Sequence, residues 1–308
     1  MRDTPSLSAG EVFGLGQCSL DYLGVVDAYP PPDVKWELGQ TAIQGGGPAA
    51  TALAALSRWG FSCHFAGVVG DDPIGELIAA SLRDEEVSTA GLMVREKGLS
   101  QLAFICVEPA VGRRTIFWKR PTGPTLQPAE IDLAALKRSR LFYTDGLFSE
   151  AALFAARQAK AAGIPVVVDA GTLREGMLDL ARLSDVFITS EPFARDLTGG
   201  DDPRAACRIL ADLGTSLVGV TLGKRGSVAL AGGEWIEQGA YPVTVLDTTG
   251  CGDVFHAGVT YGFLQGWEAR RCLDLGAWAA AEVSLQLGGR AGIPTLAALK
   301  EHCGETGK

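Results

Sequence analysis

No apolar run in this chain approaches the length of a membrane span, so no transmembrane helix is expected. No cluster of Lys and Arg exceeds a few residues, and 27 basic residues face 36 acidic ones, for a net charge of −9. Nucleic acid and anionic membrane are therefore not expected as partners. The seven cysteines, at 18, 63, 106, 207, 251, 272 and 303, make no C-x-x-C pair. That odd, scattered set, without a secretory signal, points to a reducing cytoplasm. Internal repeats and low-complexity tracts are also missing. What remains is ordinary for a globular chain: 308 residues, 47% hydrophobic and 20% charged, enough for one large α/β domain or two modest ones. Residues 1–10 are small and polar and are expected to fray.

Residues 11–16 read as a buried strand, and Asp21 follows at its carboxyl end, where open α/β sheets bind ligands. A loop Asp capping a turn is the other reading, and Asp27 is a lesser candidate of the same kind. Pro30, Pro31 and Pro32 forbid a helix across 28–42, which suggests two short strands leaving the main sheet. Gly45, Gly46 and Gly47 precede an Ala/Leu-rich helix with Pro48 at its first position and Gly60 at its end. Asp71 and Asp72 read as caps of the next helix. Residues 99–107 and 113–119 alternate around 108–112, which predicts a hairpin. Arg113, Arg114, Lys119 and Arg120 on it read as a solvated face, or as a source of one cation for an anionic substrate group. From residue 141 the pattern is regular: strands at 141–144, 165–169, 186–189 and 217–222, and helices near 149–162, 192–198, 203–213 and 268–286. Such alternation means a parallel sheet covered on both faces. Asp145, Asp169 and Ser190 fall just past strand ends and so share one rim.

The stretch Asp247-Thr248-Thr249-Gly250-Cys251-Gly252-Asp253 lies between a strand-like run, 241–245, and an apolar helical run ending near Gln265. Two glycines flank one small residue, so backbone N–H groups can converge there, and the helix start adds its positive end. A carboxylate at such an anion site, here Asp253, weakens anion binding unless it is there to take a proton. Amides that hold phosphate charge and a carboxylate that accepts a hydroxyl proton add up to phosphoryl transfer. The plain alternative is a helix N-terminus with a favourable acid. Cys251, a thiol at that helix start, is expected to have a lowered pKa. His256, one turn on, reads as a packing residue.

Residues 247–258 closely resemble the C-terminal signature of the ribokinase-like (PfkB) carbohydrate kinases, D-T-x-G-A-G-D-x-F, with Cys251 in the usual Ala place. The resemblance implies Asp253 as catalytic base and the amides of Gly250, Cys251 and Gly252 as an anion hole. It runs from about residue 11 to 295. Residues 44–51 resemble the family's G-G-x-x-x-N, which implies sugar contacts from Asp21, Gly46, Gly47 and Thr51, with Thr51 where Asn is usual. Residues 190–199 resemble N-x-x-E…L-T-G, a segment that positions Mg²⁺ and phosphates partly through water. Ser190 takes the Asn place and Phe193 takes the Glu place, and Glu191 is either a substitute carboxylate for Mg²⁺ through water or an ordinary helix-start acid. Thr221, Gly223 and Gly226 match the nucleotide turn T-x-G-x-x-G, with Lys224 facing solvent. Residues 288–294 resemble the loop that closes the adenine pocket, with Gly289 on the nucleotide and Arg290 alternatively a surface charge. With Asp247 and Thr249, the carbonyls of that loop imply a site for a monovalent cation such as K⁺.

The implied whole is one domain over 1–308: a three-layer α/β/α sandwich with a mostly parallel sheet, plus a small β lid from about 28–42 and 97–120. Its implied activity is ATP-dependent phosphorylation of a sugar-like hydroxyl with ATP and Mg²⁺, in a homodimer formed through the lid. A nucleoside kinase remains open as an alternative. So does a non-catalytic sugar- or nucleotide-binding protein, motivated by Phe193.

Overall fold

The computed structural model describes residues 11–304, so the fraying expected of residues 1–10 lies outside the described residues. The chain carries two kinds of strand. Near-continuous apolar runs build a sheet buried on both faces, and period-2 runs build a second sheet with one open face.

In chain order, β1 (Glu11–Leu15) begins the large sheet, and β2 (Ser19–Val25) and β3 (Thr41–Gly46) leave it as an antiparallel pair. Helix α1 (Pro48–Arg58) returns the chain to β4 (Ser62–Gly70), and α2 (Pro73–Asp84) leads to β5 (Val87–Arg95). Pro48 starts α1 as expected, and Asp72 caps α2 by accepting from the Gly75 N–H. The predicted hairpin forms as β6 (Leu102–Glu108) and β7 (Arg113–Lys119). Beyond α3 (Leu133–Arg138) come β8 (Leu141–Thr144), α4 (Ser149–Ala161), β9 (Val166–Ala170), α5 (Met177–Leu183) and β10 (Val186–Ser190). Helices α6 (Glu191–Thr198) and α7 (Pro203–Ala211) then precede β11 (Leu217–Thr221). A second hairpin, β12 (Ser227–Ala231) and β13 (Glu234–Gln238), is followed by α8 (Cys251–Leu264), α9 (Ala269–Val283) and α10 (Leu296–His302).

The large sheet runs β13-β12-β11-β10-β9-β8-β1-β4-β5, parallel except for the β12–β13 edge. Alternate residues of each strand face opposite layers. Val12 and Val167 pack with α1, α8 and α9, whereas Phe13, Val166 and Val168 pack with α3 to α7. This is the expected three-layer sandwich. The chain enters at β1 and builds outward in both directions, so the strand order reverses between β1 and β8. A crevice opens at the carboxyl ends of the strands at such a reversal.

The small sheet runs β3-β2-β6-β7. Of the segment 28–42, expected to hold two strands, only Thr41 and Ala42 are in one; the strands flank the triple proline, because prolines supply no N–H to a ladder. Asp21 is accordingly a strand residue, not a loop residue. The row Ile43, Tyr22, Phe104 and Phe117 crosses all four strands on one face, and Ile43, Phe104 and Phe117 are each more than half exposed. The other face carries Asp21, Ala103, Ile105, Ile116 and Trp118 over the crevice.

Residues 241–245 form no strand. Pro242 interrupts the run, and the chain is fixed at its far end instead, where the Leu246 and Asp247 N–H groups donate to the Ser284 carbonyl at 2.8 and 3.2 Å. Among the described residues no helix is long and apolar enough to cross a membrane, and all seven cysteines are free.

Phe193 is fully buried and packs edge-on to Phe187, with ring centroids 5.8 Å apart. The position therefore belongs to the core under β10. Phe193→Glu would lose that packing and bury a carboxyl without a partner, so urea unfolding should show a loss of about 3–5 kcal/mol. A loss under about 1 kcal/mol would mean that the position can present an acid after all.

Candidate active site

The crevice at the strand reversal is a cleft of about 470 Å³. The β1–β2 turn supplies Gln17 and Ser19, the small sheet supplies Asp21 and Arg114, and the N-terminus of α1 supplies Gly47 and Pro48. The ends of β8 and β9 add Asp145 and Asp169, and the start of α8 adds Gly250, Gly252 and Asp253.

Asp253 stands in the first turn of α8 and makes no hydrogen bond among the described residues. Burial pushes its carboxyl up to about 7, and the nearby Asp169 carboxylate adds to the rise, against the pull of His256 and Arg114. His256 itself does not line the cleft. Its Nδ1 faces the Gly252 carbonyl at 2.6 Å, and its Nε2 faces the Ile188 carbonyl and Asp169 Oδ1 at 3.3 and 3.4 Å. It is a buried strut beneath the two acids. The Tyr143 hydroxyl donates to Asp169 Oδ2 from 3.4 Å.

The motif loop is held from behind. Asp247 Oδ1 accepts from the Thr249 N–H and hydroxyl at 2.9 and 2.8 Å, and Oδ2 accepts from the Gly288 N–H at 2.8 Å. Gly250 has φ 74°, a left-handed conformation, and a Cβ there would collide with the backbone of Gly289. Glycine is required on both counts. The Cys251 N–H donates to the Thr248 carbonyl at 3.3 Å. Gly250, Gly252 and Asp253 keep N–H groups without a backbone partner among the described residues. The expected low pKa of Cys251 is overturned: burial outweighs the helix end and pushes the thiol up to about 12.

On the small-sheet side of the cleft, Asp21 is buried, accepts from the Ser19 hydroxyl at 2.7 Å, and has its carboxyl raised by burial. Gly46 lies against it, and a Cβ there would strike the Asp21 carboxylate. Asp145, pushed up to about 6 by burial, ties three segments together by accepting from the N–H groups of Gln17, Ala49 and Leu147 at 2.7, 3.4 and 3.0 Å. Thr51 is buried in α1 and does not line the cleft. Asp27 is exposed and also lies outside it.

The other predicted residues form a separate group along β10 and β11. Ser190 caps α6 by accepting from the Phe193 N–H at 3.2 Å and donates to the Gly171 carbonyl at 2.8 Å. Thr221 donates to the Thr189 carbonyl at 3.2 Å, and Gly223 and Gly226 take positive φ in the turn that follows. Glu191 pairs with Arg225 at 2.7 Å and Arg195 at 3.4 Å. Arg290 is buried, not a surface charge.

Sequence reading missed Arg174, which lines the cleft four positions past β9. Its place just beyond a strand end on the shared rim was the available signal. The four hairpin cations divide by strand parity. Arg114 and Arg120 face the cleft, and Arg114 Nη1 donates to the Thr248 hydroxyl at 2.6 Å. Arg113 pairs with Glu108 at 3.0 Å, and Lys119 is exposed, as a solvated face requires.

A model of the pfkB family of carbohydrate kinases matches residues 10–296 of this chain. An uncharacterized sugar kinase of Archaeoglobus fulgidus is 29% identical over 254 residues, which cover 78% of this chain and 98% of that protein. Fructokinase-2 of Zea mays is 28% identical over 267 residues, 79% of this chain and 77% of that one. A ribokinase of Arabidopsis thaliana, solved with ribose and ATP, shares the fold with a TM-score of 0.80 at 23% identity, covering 96% of this chain and 98% of its own.

The raised carboxyl of Asp253 also makes a stability statement. A carboxyl whose folded pKa lies above its unfolded one costs stability as pH rises between the two, because the unfolded chain gives up its proton first. That window runs from 3.8 to about 7. Asp253→Asn should therefore raise Tm at pH 7 and above, with no gain at pH 4. This is opposite in sign to the loss of a favourable helix-start charge. Scanning calorimetry at both pH values decides, and a lower Tm at pH 8 would show that the helix end dominates.

Proposed function

This chain belongs to the pfkB family of carbohydrate kinases, and we propose that it transfers the γ-phosphoryl group of ATP to a sugar hydroxyl with Asp253 as general base. The observation that carries this reading is the Asp253 carboxylate, without a hydrogen bond of its own, facing the cleft beside unpaired amides at the start of α8. A hydroxyl held near Asp21 and Gly47 would give its proton to Asp253 as its oxygen attacks phosphorus. The new O–P bond forms as the bond to ADP breaks, and the Gly250 and Gly252 N–H groups hold the charge on the transferred group. Relatives named as fructokinases and sugar kinases favour a sugar over a nucleoside as the acceptor.

The nucleotide would lie along Ser190, Thr221, Gly223, Gly226 and Gly289. Mg²⁺ neutralises phosphate charge when bound. No group of three or more His, Cys, Asp or Glu among the described residues is arranged to hold a metal. That donor set fits an ion that keeps its waters and rides on phosphates. Glu191, held by Arg225, would reach it only through water. A monovalent cation such as K⁺ would sit beside Asp247 and Thr249. The binding-only alternative rests on the loss of an acid at Phe193.

A coupled ADP-release assay over sugars and nucleosides separates the two readings. For the responding acceptor, Asp253→Asn should lower kcat by roughly 10²–10⁴-fold with little change in KM, because only transition-state stabilisation is lost. With wild type, kcat/KM should rise with pH through about 7 as Asp253 loses its proton. An Asn variant that turns over at near wild-type rate would remove Asp253 from the mechanism.

The same proposal includes a homodimer through the exposed row Ile43, Tyr22, Phe104 and Phe117. Phe104→Glu should shift sedimentation from dimer to monomer at micromolar concentration. A wild type that is already monomeric there would discard the interface.

A further inference from the structure

Two arginines outside the cleft are held by carboxylates. Arg95 grips Glu130 with two bonds of 2.6 Å, and Arg58 holds Glu85 at 2.6 and 2.7 Å. Arg120, which is exposed, and Arg174, which is half-buried, are not held in this way. Neither has a hydrogen bond or ion pair among the described residues, and Arg174 Nη1 is shut off from water without a partner. Arg120 instead stacks over the Trp118 ring at 4.7 Å. Burial works against the Arg174 charge, and so does the nearby Arg120.

Both side chains stand on a wall between two cavities. One is the acceptor cleft, and the other is a side pocket of about 230 Å³. Gln17, Gln101, Arg120, Leu147 and Arg174 line both. Gln101 is only 5% exposed, and its Oε1 is a second buried atom without a partner. The shared wall thus offers two guanidinium groups and one carbonyl acceptor, all unspent. The side pocket behind this wall includes none of Thr249, Gly250, Gly252 and Asp253, so the wall is the side of the cleft turned away from the start of α8. Ser190, Thr221, Gly223 and Gly226 line neither cavity, so the pair does not face the proposed nucleotide side.

Resting on the kinase reading above, we infer that the acceptor sugar carries an anionic group, carboxylate or phosphate, seated between Arg120 and Arg174 at the end remote from the hydroxyl that is phosphorylated. A neighbouring hydroxyl of the same acceptor donates to Gln101 Oε1. Guanidinium groups match oxyanions with paired, charge-assisted bonds. A neutral sugar would leave Arg174 Nη1, already shut off from water, without a charged partner, a cost that buried groups avoid by pairing.

The test uses neutral ketohexoses and pentoses, aldonic and ketoaldonic acids, and sugar monophosphates as separate arms. Each is measured by ADP release and by its thermal shift on the protein, for wild type, Arg120→Gln, Arg174→Gln and Arg174→Lys. The expected result is a wild type that prefers an anionic arm, and which arm responds identifies the anion. Arg174→Gln should lower kcat/KM for that acceptor roughly 10- to 100-fold relative to neutral ones, mainly through KM, with Arg174→Lys in between. Its Tm without acceptor should not fall, because no hydrogen bond or ion pair is lost and the partnerless Nη1 is removed. A wild type that prefers neutral sugars, with a ratio unmoved in Arg174→Gln, overturns the inference and leaves the kinase reading intact. No ADP from any arm overturns the kinase reading. In that case a thermal shift by acids, lost in Arg174→Gln, still supports the anion seat, and its absence rejects it.

Discussion

The site depends on one buried carboxylate. Asp247 takes the Thr249 N–H and hydroxyl on one oxygen and the Gly288 N–H on the other. Those three bonds bring two loops together until Gly250 and Gly289 meet backbone to backbone. That contact sets where α8 starts and which way its first amides point. The position of Asp253, its nearness to Asp169, and the reach of Arg114 to Thr248 all follow from it.

The cleft concentrates acid. Asp21, Asp145, Asp169 and Asp253 line it, and burial raises the carboxyls of Asp21, Asp145 and Asp253. Asp253 then carries less negative charge near neutrality than its residue type suggests. Under the proposed reading, a phosphate-bearing ligand at Asp253 would meet a site whose charge is partly withheld until a proton leaves. Arg114 and Arg174 soften it further from the two ends.

Much of this was legible because it is local. Pro48 marked the start of α1, the alternation from residue 141 marked the parallel sheet, and Gly250 and Gly252 marked the loop at α8. The misreadings share a cause as well. The helix end predicted an acidic Cys251 thiol, but burial is a property of the packed chain and reverses the sign. The prolines near residue 30 were read as part of strands that in fact lie on either side of them. Arg174 was marked only by its place past a strand end, and Gln101 by nothing local, since a polar atom is orphaned only by its neighbours in space. Among the hairpin cations, composition could not choose. The pleat chose, sending Arg114 and Arg120 inward and Arg113 and Lys119 away from the cleft.

That same pleat makes the hairpin unequal in what it tolerates through evolution. Residues on β7 can change type one at a time while keeping their side of the sheet. A single residue inserted just before Arg114 would exchange the two sides of the strand that follows it. Phe117 would swing over the cleft and Arg114 out to solvent, so one event would spoil the cleft and the apolar outer row together. Length, more than identity, is what descent should preserve in this segment.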